Sequence, residues 1–377
     1  MMREILIIGG GVIGLSIART LRKKGVRKIT LLEKAVCGRE ASWAAAGMLG
    51  PQAEANSKGD FFDLTIASRD LYPAFSSDLY DETGIDIELD CTGTLYFAFS
   101  DADVEELAER LDWQTKTGLP VEHLSAVDAR KAEPFVSPDV REALFFPNDW
   151  QVENRKLLTA LRRYADLNGI EIIENTEVAR LIVENGRVCG AETGTGVVNA
   201  DATVIATGAW TSFIKLGHAN LPVKVEPVRG QIVTFRTAKR LFAHVAYTRR
   251  GYIVPRFDGR ILAGSTSELV GFDRSISETA KTSLCRTAVE IFPGIASLEV
   301  SDQWSGLRPV AGDAMPIIGS IAGIDGLIFA TAHYRNGILL APLTAEMVAD
   351  KLVDGIVPQA FTTFGPDRFR FAAGSTR

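Results

Sequence analysis

Histidine and cysteine are scarce in this chain, with four of each among 377 residues. Cys37, Cys91, Cys189 and Cys285 stand far apart and no C-x-x-C pair occurs. With so few histidines, that spacing offers no metal-ligand cluster, and the cysteines read as reduced small residues of a cytoplasmic protein. No apolar run reaches the roughly eighteen residues of a membrane span. The apolar N-terminus lacks a signal-peptide cleavage pattern. Net charge is −6, and Lys and Arg are scattered rather than clustered, so neither nucleic acid nor an anionic membrane is an expected partner. No repeat period or low-complexity tract stands out.

What is present is a globular composition, 46% hydrophobic and 23% charged, long enough for two domains around a large core. The chain is organised around Ile5–Glu33. Ile5-Leu6-Ile7-Ile8 has the length of a buried parallel strand. It runs into Gly9-Gly10-Gly11-Val12-Ile13-Gly14, a G-x-G-x-x-G on Gly9, Gly11 and Gly14. Val12, Ile13, Ala18 and Leu21 follow at helical spacing, and Arg22-Lys23-Lys24 supply positive charge where a helix C-terminus favours it. Ile29–Leu32 is a second strand ending at Glu33.

Strand, turn, helix, strand and a terminal carboxylate make a βαβ unit for a dinucleotide. Gly9 permits the turn, Gly11 lets a pyrophosphate approach the backbone, and Gly14 lets helix and strand pack closely. The helix N-terminus offers N–H groups to phosphate. Glu33 can accept from ribose hydroxyls and disfavours a 2′-phosphate, so FAD or NAD is expected rather than NADP.

Further along, Asp60–Tyr80 reads as a helix with a kink or break at Pro73. Ser100 is an N-cap for a helix through Trp113, whose Asp101, Asp103, Glu105 and Glu106 read as a solvated face. Asn154–Asn168 reads as a helix, and Asn185-Gly186 carries a hairpin signal between two strands. Ala202–Trp210 is a buried strand ending in Thr207-Gly208. From Leu221 short alternating segments predict an antiparallel sheet. Gly326–Thr331 is a strand and Gly337–Leu352 a helix, joined by His333–Ile338.

The glycine motif, Glu33 and the small-residue stretch Ser42-Trp43-Ala44-Ala45-Ala46-Gly47-Met48 resemble the D-amino-acid oxidase family of FAD enzymes. So do Ala206-Thr207-Gly208-Ala209-Trp210, Tyr252-Ile253-Val254-Pro255-Arg256, and Gly306-Leu307-Arg308-Pro309 followed by Pro316-Ile317-Ile318-Gly319. The resemblance spans Ile5 to about Leu352. It implies an α/β fold in which a Rossmann-like FAD-binding domain (1–86, 147–220 and 305–365) carries a mainly antiparallel substrate-binding domain (87–146 and 221–304).

The cofactor implied is FAD, non-covalent because no Cys lies near Gly306–Pro309. Ser42, Ala46, Gly47 and Met48 are implied along the cofactor, and Val178, Thr207 and Gly208 at its nucleotide and phosphate side. Lys34 and Trp210 belong to the same set. His333, Arg335, Asn336, Gly337 and Ile338 are implied at the isoalloxazine. Arg308 is implied to grip a substrate carboxylate in a two-pronged pair and Tyr252 to donate its hydroxyl, with Met48 and Arg335 on the substrate side. Arginine suits that role because its planar fork meets both oxygens.

The reaction implied is oxidation of a small amine-bearing carboxylate (glycine, sarcosine, D-alanine, D-proline). The products are a 2-oxo acid, ammonia and, with oxygen as acceptor, hydrogen peroxide; a role in supplying the thiazole of thiamine is also implied. A homo-oligomer, tetramer or dimer, is expected. Two departures bear on the substrate. Arg249-Arg250 add charge ahead of Tyr252, and Gly264-Ser265-Thr266-Ser267 ends small where a bulkier pocket wall is expected. The alternative is therefore a broader D-amino-acid oxidase, or a dehydrogenase using another electron acceptor. A non-catalytic FAD sensor should lack Arg308 or Tyr252, and both are present.

Overall fold

The computed structural model describes residues 4–369, so residues 1–3 of the first domain assignment lie outside it. Five strands form its parallel centre, in the spatial order Ile324–Thr331, Ala202–Ile205, Glu4–Ile8, Lys28–Leu32, Glu171–Ile173. Ile5 pairs with Ala202 on one side and Ile29 on the other. Ile5 and Ile7 pack into one apolar cluster with Leu15 and Leu161, while Leu6 and Ile8 pack into another with Val178 and Phe329. Burial on both faces is why Ile5–Ile8 is a continuous apolar run rather than an alternating one. Fully burying each such side chain contributes about 1.5–3 kcal/mol. The hairpin Val178–Glu184 and Arg187–Thr193 extends the sheet beyond Ile324–Thr331, turning at Asn185 and Gly186, both at positive φ.

A second sheet of eight strands is mainly antiparallel. Its longest pair is Val225–Arg236 with Val300–Ala311, and Val228 lies opposite Arg308. The domain boundary expected at 304/305 therefore cuts a strand. Residues 305–311 are hydrogen-bonded into the second sheet, because Gly306-Leu307-Arg308-Pro309 continues the ladder begun at Val300.

Local differences have simple causes. The kink or break expected at Pro73 within 60–80 is a break at Leu71, between helices Asp60–Asp70 and Tyr72–Thr83. Pro73 sits in the first turn of the second, where its missing N–H costs nothing. Ser100 caps its helix as expected. Asp103, though, is no solvated side chain: it closes a capping box and is buried. Glu106 of the same helix accepts from the Tyr96 hydroxyl at 2.6 Å. The helix expected over 337–352 is regular from Gly337 to Ala349 and widens into a π-turn over Asp350–Asp354.

Candidate functional site

The two sheets meet at one cavity of about 490 Å³, lined by residues from Ile8 to Ile338. On the parallel-sheet side it is built from the first strand–helix turn. A Cβ on Gly9 would stand 2.4 Å from the Ala206 carbonyl oxygen, and one on Gly14 would stand 2.0 Å from the Gly9 carbonyl oxygen. Only glycine lets helix and strand approach so closely. Helix Val12–Lys23 starts at Gly11, which has no side chain to cap it, and the Val12 N–H is met by Ser42 Oγ at 3.0 Å.

At the end of the next strand, Glu33 Oε2 accepts from the Gly10 N–H at 2.8 Å and Oε1 from the Ala35 N–H at 2.9 Å. These two contacts fix the carboxylate and leave lone pairs over. Beside it, Lys34 Nζ lies 2.7 Å from Glu177 Oε1. Cys37 packs behind Gly10, and burial pushes its thiol up to about 12, so it stays protonated and inert.

Ser42, Ala46, Gly47 and Met48 line the cavity. Their path is held from below: Arg256 Nη2 donates to the Ala46 carbonyl at 2.7 Å, and Asn154 Nδ2 donates to the Ser42 carbonyl at 2.8 Å. Gly47 is required there, since it has φ +70° and a Cβ would stand 2.1 Å from the Val152 carbonyl oxygen. Val178, Thr207, Gly208 and Trp210 also reach the cavity, the Trp210 ring packing 5.7 Å from Phe272.

His333, Arg335, Gly337 and Ile338 line the far side. His333 Nε2 is 3.1 Å from Thr344 Oγ1, and burial drives the imidazole down to about 3, so it is neutral. The helix Gly337–Ala349 starts at Asn336 without a side-chain cap. Its free N–H groups and dipole favour negative charge. Two of the expected cofactor residues do not line the cavity. Gly14 is absorbed in helix–strand packing, and Asn336 turns its N–H to the His333 carbonyl at 2.9 Å.

The second sheet supplies the other wall. Tyr252 is buried, with its phenol over Gly264, where a Cβ would meet Oη at 2.5 Å. Arg308 reaches the same cavity; its Nη1 donates to the Thr266 carbonyl at 3.0 Å and its Nη2 to Ser265 Oγ at 2.6 Å. Burial pulls its pKa below the ordinary arginine value, with Arg335 adding to the effect. Here a desolvated cation faces a cavity, an arrangement that favours an anionic ligand. Arg335 is the opposite case. Glu54 Oε2 lies 3.4 Å from its Nε and raises its pKa, and the Tyr247 hydroxyl is 3.3 Å from its Nη2.

Glu54 and Ser265 were not among the residues expected from sequence. Glu54 meets Arg335 across 281 positions, so no local pattern could signal it. Ser265 lay in a segment noted only for its small residues. Arg249 and Arg250, by contrast, do not line the cavity. They are exposed, near Glu106 at 4.0 Å and Glu290 at 3.5 Å.

Residues 4–351 match the DAO family, FAD dependent oxidoreductase. The chain belongs to that family. It is 35% identical over 362 residues to the glycine oxidase of Pseudomonas aeruginosa, covering 95% of this chain and 96% of that one. It is 34% identical over 380 residues to the bifunctional protein ThiO/ThiG of Trichormus variabilis, covering all of this chain and 56% of that one. The crystal structure of glycine oxidase from Bacillus cereus superposes with a TM-score of 0.90 at 33% identity, covering 96% of this chain and 98% of that one.

This FAD-dependent oxidoreductase has residues that fit its cofactor. A Cβ on Gly11 would press on Ser42 Oγ at 3.2 Å, and one on Gly47 would strike backbone, so both glycines keep the cradle open. Two helices start at the cavity with no cap from their own N-cap residues, Gly11 and Asn336, and although Ser42 Oγ meets the Val12 N–H, the remaining N–H groups would suit phosphate and a negatively charged flavin edge. Glu33, fixed by two backbone N–H groups, keeps lone pairs that a ribose hydroxyl would meet. Among the described residues no group of three or more His, Cys, Asp or Glu could hold a metal, and no helix is long and apolar enough to cross a membrane.

Proposed function

We propose that the protein is a glycine oxidase: it converts glycine, water and oxygen to glyoxylate, ammonia and hydrogen peroxide, and also accepts sarcosine and small D-amino acids. The observation that carries this reading is the desolvated Arg308 beside Tyr252, in the same cavity as the cofactor cradle. FAD, when bound, supplies the two-electron acceptor for the Cα–H hydride.

The residues of this chain do the positioning. Arg308 and Tyr252 hold the carboxylate, Arg308 by a charge-assisted fork. Glu54 pairs with Arg335, Glu40 with Arg274 and Glu177 with Lys34, so among the described cations that line the cavity Arg308 is the one left to match one carboxylate. An amino acid fastened by its acid group, with a neutral amine, presents its Cα–H in one orientation, and that restriction is a large part of the rate enhancement. Loss of the Cα–H as hydride releases no proton there, so no side chain is needed as general base at Cα, and His333 is occupied with Thr344.

The pairing of Arg249 and Arg250 outside the cavity favours a monocarboxylate over an acidic substrate. The likeness to the bifunctional ThiO/ThiG protein supports a link to thiamine. Oxygen is proposed as the acceptor and a homo-oligomer as the working form.

The test is anaerobic addition of glycine, sarcosine, D-alanine or D-proline to the yellow protein. Bleaching by glycine, with peroxide formed stoichiometrically when air returns, is the expected result. Bleaching without peroxide replaces the oxidase by a dehydrogenase, and no bleaching with any of the four removes the glycine-oxidase reading.

A further inference from the structure

Ser265 follows strand Arg260–Gly264 and lines the cavity between the two groups assigned to the substrate carboxylate. Tyr252 pairs with Gly264, its phenol oxygen directly over that glycine. Arg308 Nη2 reaches Ser265 Oγ at 2.6 Å. Three polar groups from three strands or their ends thus converge on one region.

The segment after Gly264 is fastened so that Ser265, not Thr266, faces this region. The Thr266 hydroxyl is turned away: it donates to Glu268 Oε1 and accepts from the Gln231 N–H at 2.9 Å. Glu268 is in turn held by Arg229 Nε at 3.2 Å, by Gln231 Nε2 at 2.8 Å, and through a reciprocal backbone pair with Arg229 at 2.9 Å each way. With its side chain committed, Thr266 offers Arg308 only its carbonyl, at 3.0 Å.

A serine hydroxyl has one proton and two lone pairs. Ser265 Oγ accepts from Arg308, and among the described residues no acceptor partners its proton. Arg308 uses two of its five N–H groups on Thr266 and Ser265, which leaves N–H groups for an incoming anion. A carboxylate meeting that fork comes up against a hydroxyl with a proton to give.

We propose that Ser265 is a third binding group for the substrate carboxylate: Oγ accepts from Arg308 and donates to a carboxylate oxygen, completing a site with Arg308 and Tyr252. This rests on the reading of Arg308 as the carboxylate anchor. The class of ligand it selects is the small monocarboxylate, with or without an amine, because all three donors serve the acid group.

Acetate, a carboxylate with no amine, isolates this site. Its binding to the FAD-loaded enzyme is read from the perturbed flavin absorption spectrum, alongside kcat and KM for glycine, in S265A, S265T and R308K. Loss of one hydrogen bond to a charged group predicts that S265A raises the acetate Kd and the glycine KM about tenfold. In S265A kcat stays within about twofold, and S265T returns both constants to within about threefold of wild type.

A purely structural serine would instead lower FAD retention and kcat together, without rescue by threonine, and that result overturns the proposal. An acetate Kd within about twofold in S265A, while R308K weakens it about tenfold or more, also overturns it and leaves Arg308 standing. If R308K too is within twofold, the anchor reading itself falls and Ser265 falls with it. Should S265A lose FAD while S265T retains it, S265V, which keeps the shape of threonine without its hydroxyl, is judged by the same criterion.

Discussion

The Arg308 guanidinium lies flat against Gly230. A Cβ at 230 would stand 2.2 Å from Nη1 and 2.3 Å from both Cζ and Nη2. The two residues sit on paired strands, Val228 opposite Arg308 and Gly230 opposite Gly306, so the absence of one side chain leaves the shelf on which the other rests. Gly230→Ala is expected to displace the guanidinium while the ladder and the cofactor cradle persist. The measurement is KM for glycine against FAD content. A rise of about tenfold in KM with FAD content unchanged is expected, since a misplaced fork loses one charge-assisted bond.

Removing the guanidinium itself tests the anchor. Arg308→Ala is expected to raise the KM for glycine by at least about tenfold, because it deletes both prongs of the pair. Steady-state kinetics at saturating oxygen decide the matter. A KM unchanged to within about twofold takes Arg308 out of the role.

Gly14 makes no contact with the cavity, yet the cradle depends on it. A methyl there would press to 2.0 Å from the Gly9 carbonyl oxygen. Gly14→Ala must therefore push helix Val12–Lys23 away from strand Glu4–Ile8, at a cost of about 1–3 kcal/mol for overpacking. Thermal unfolding of the FAD-free protein should show the loss of stability, and the purified variant should come out depleted in FAD.

His333 links stability to acidity. Its imidazole is held down to about 3 by burial, against 6.5 for the ordinary value. Between those two pH values the unfolded chain binds a proton that the folded chain refuses, so stability falls as pH falls. The contribution is complete above pH 6.5 and lost progressively on the way to about 3. His333→Asn removes the titrating group. Its melting temperature should fall less steeply between pH 6 and 4 than that of wild type, a shallower slope being read from paired unfolding curves; equal slopes would assign the acid sensitivity to other groups.

Much of the cofactor half was legible in the chain because its determinants are local. Gly9, Gly11, Gly14 and Glu33 lie within one βαβ unit, and that spacing can only be satisfied one way. Ser42 to Met48 is set along the cofactor by family resemblance, since a crowd of small residues is equally met by an Ala-rich helix. The break between Asp70 and Tyr72 was misplaced by two residues, since Pro73 is as compatible with the first turn of a new helix as with a kink in an old one. A capping carboxylate such as Asp103 and a solvated one look alike in a list of letters.

By itself, then, the order of residues determined the dinucleotide fold, and its resemblance to a family of FAD enzymes narrowed the cofactor to FAD and singled out Arg308. Tertiary structure alone decided what surrounds that arginine: Gly230 beneath it, Ser265 and the Thr266 carbonyl at its prongs, Glu54 paired with Arg335 nearby. Those contacts join strands and loops tens to hundreds of positions apart. Backbone spacing encodes turns and helix starts directly, whereas a desolvated charge acquires its meaning only from whatever the folded chain packs around it.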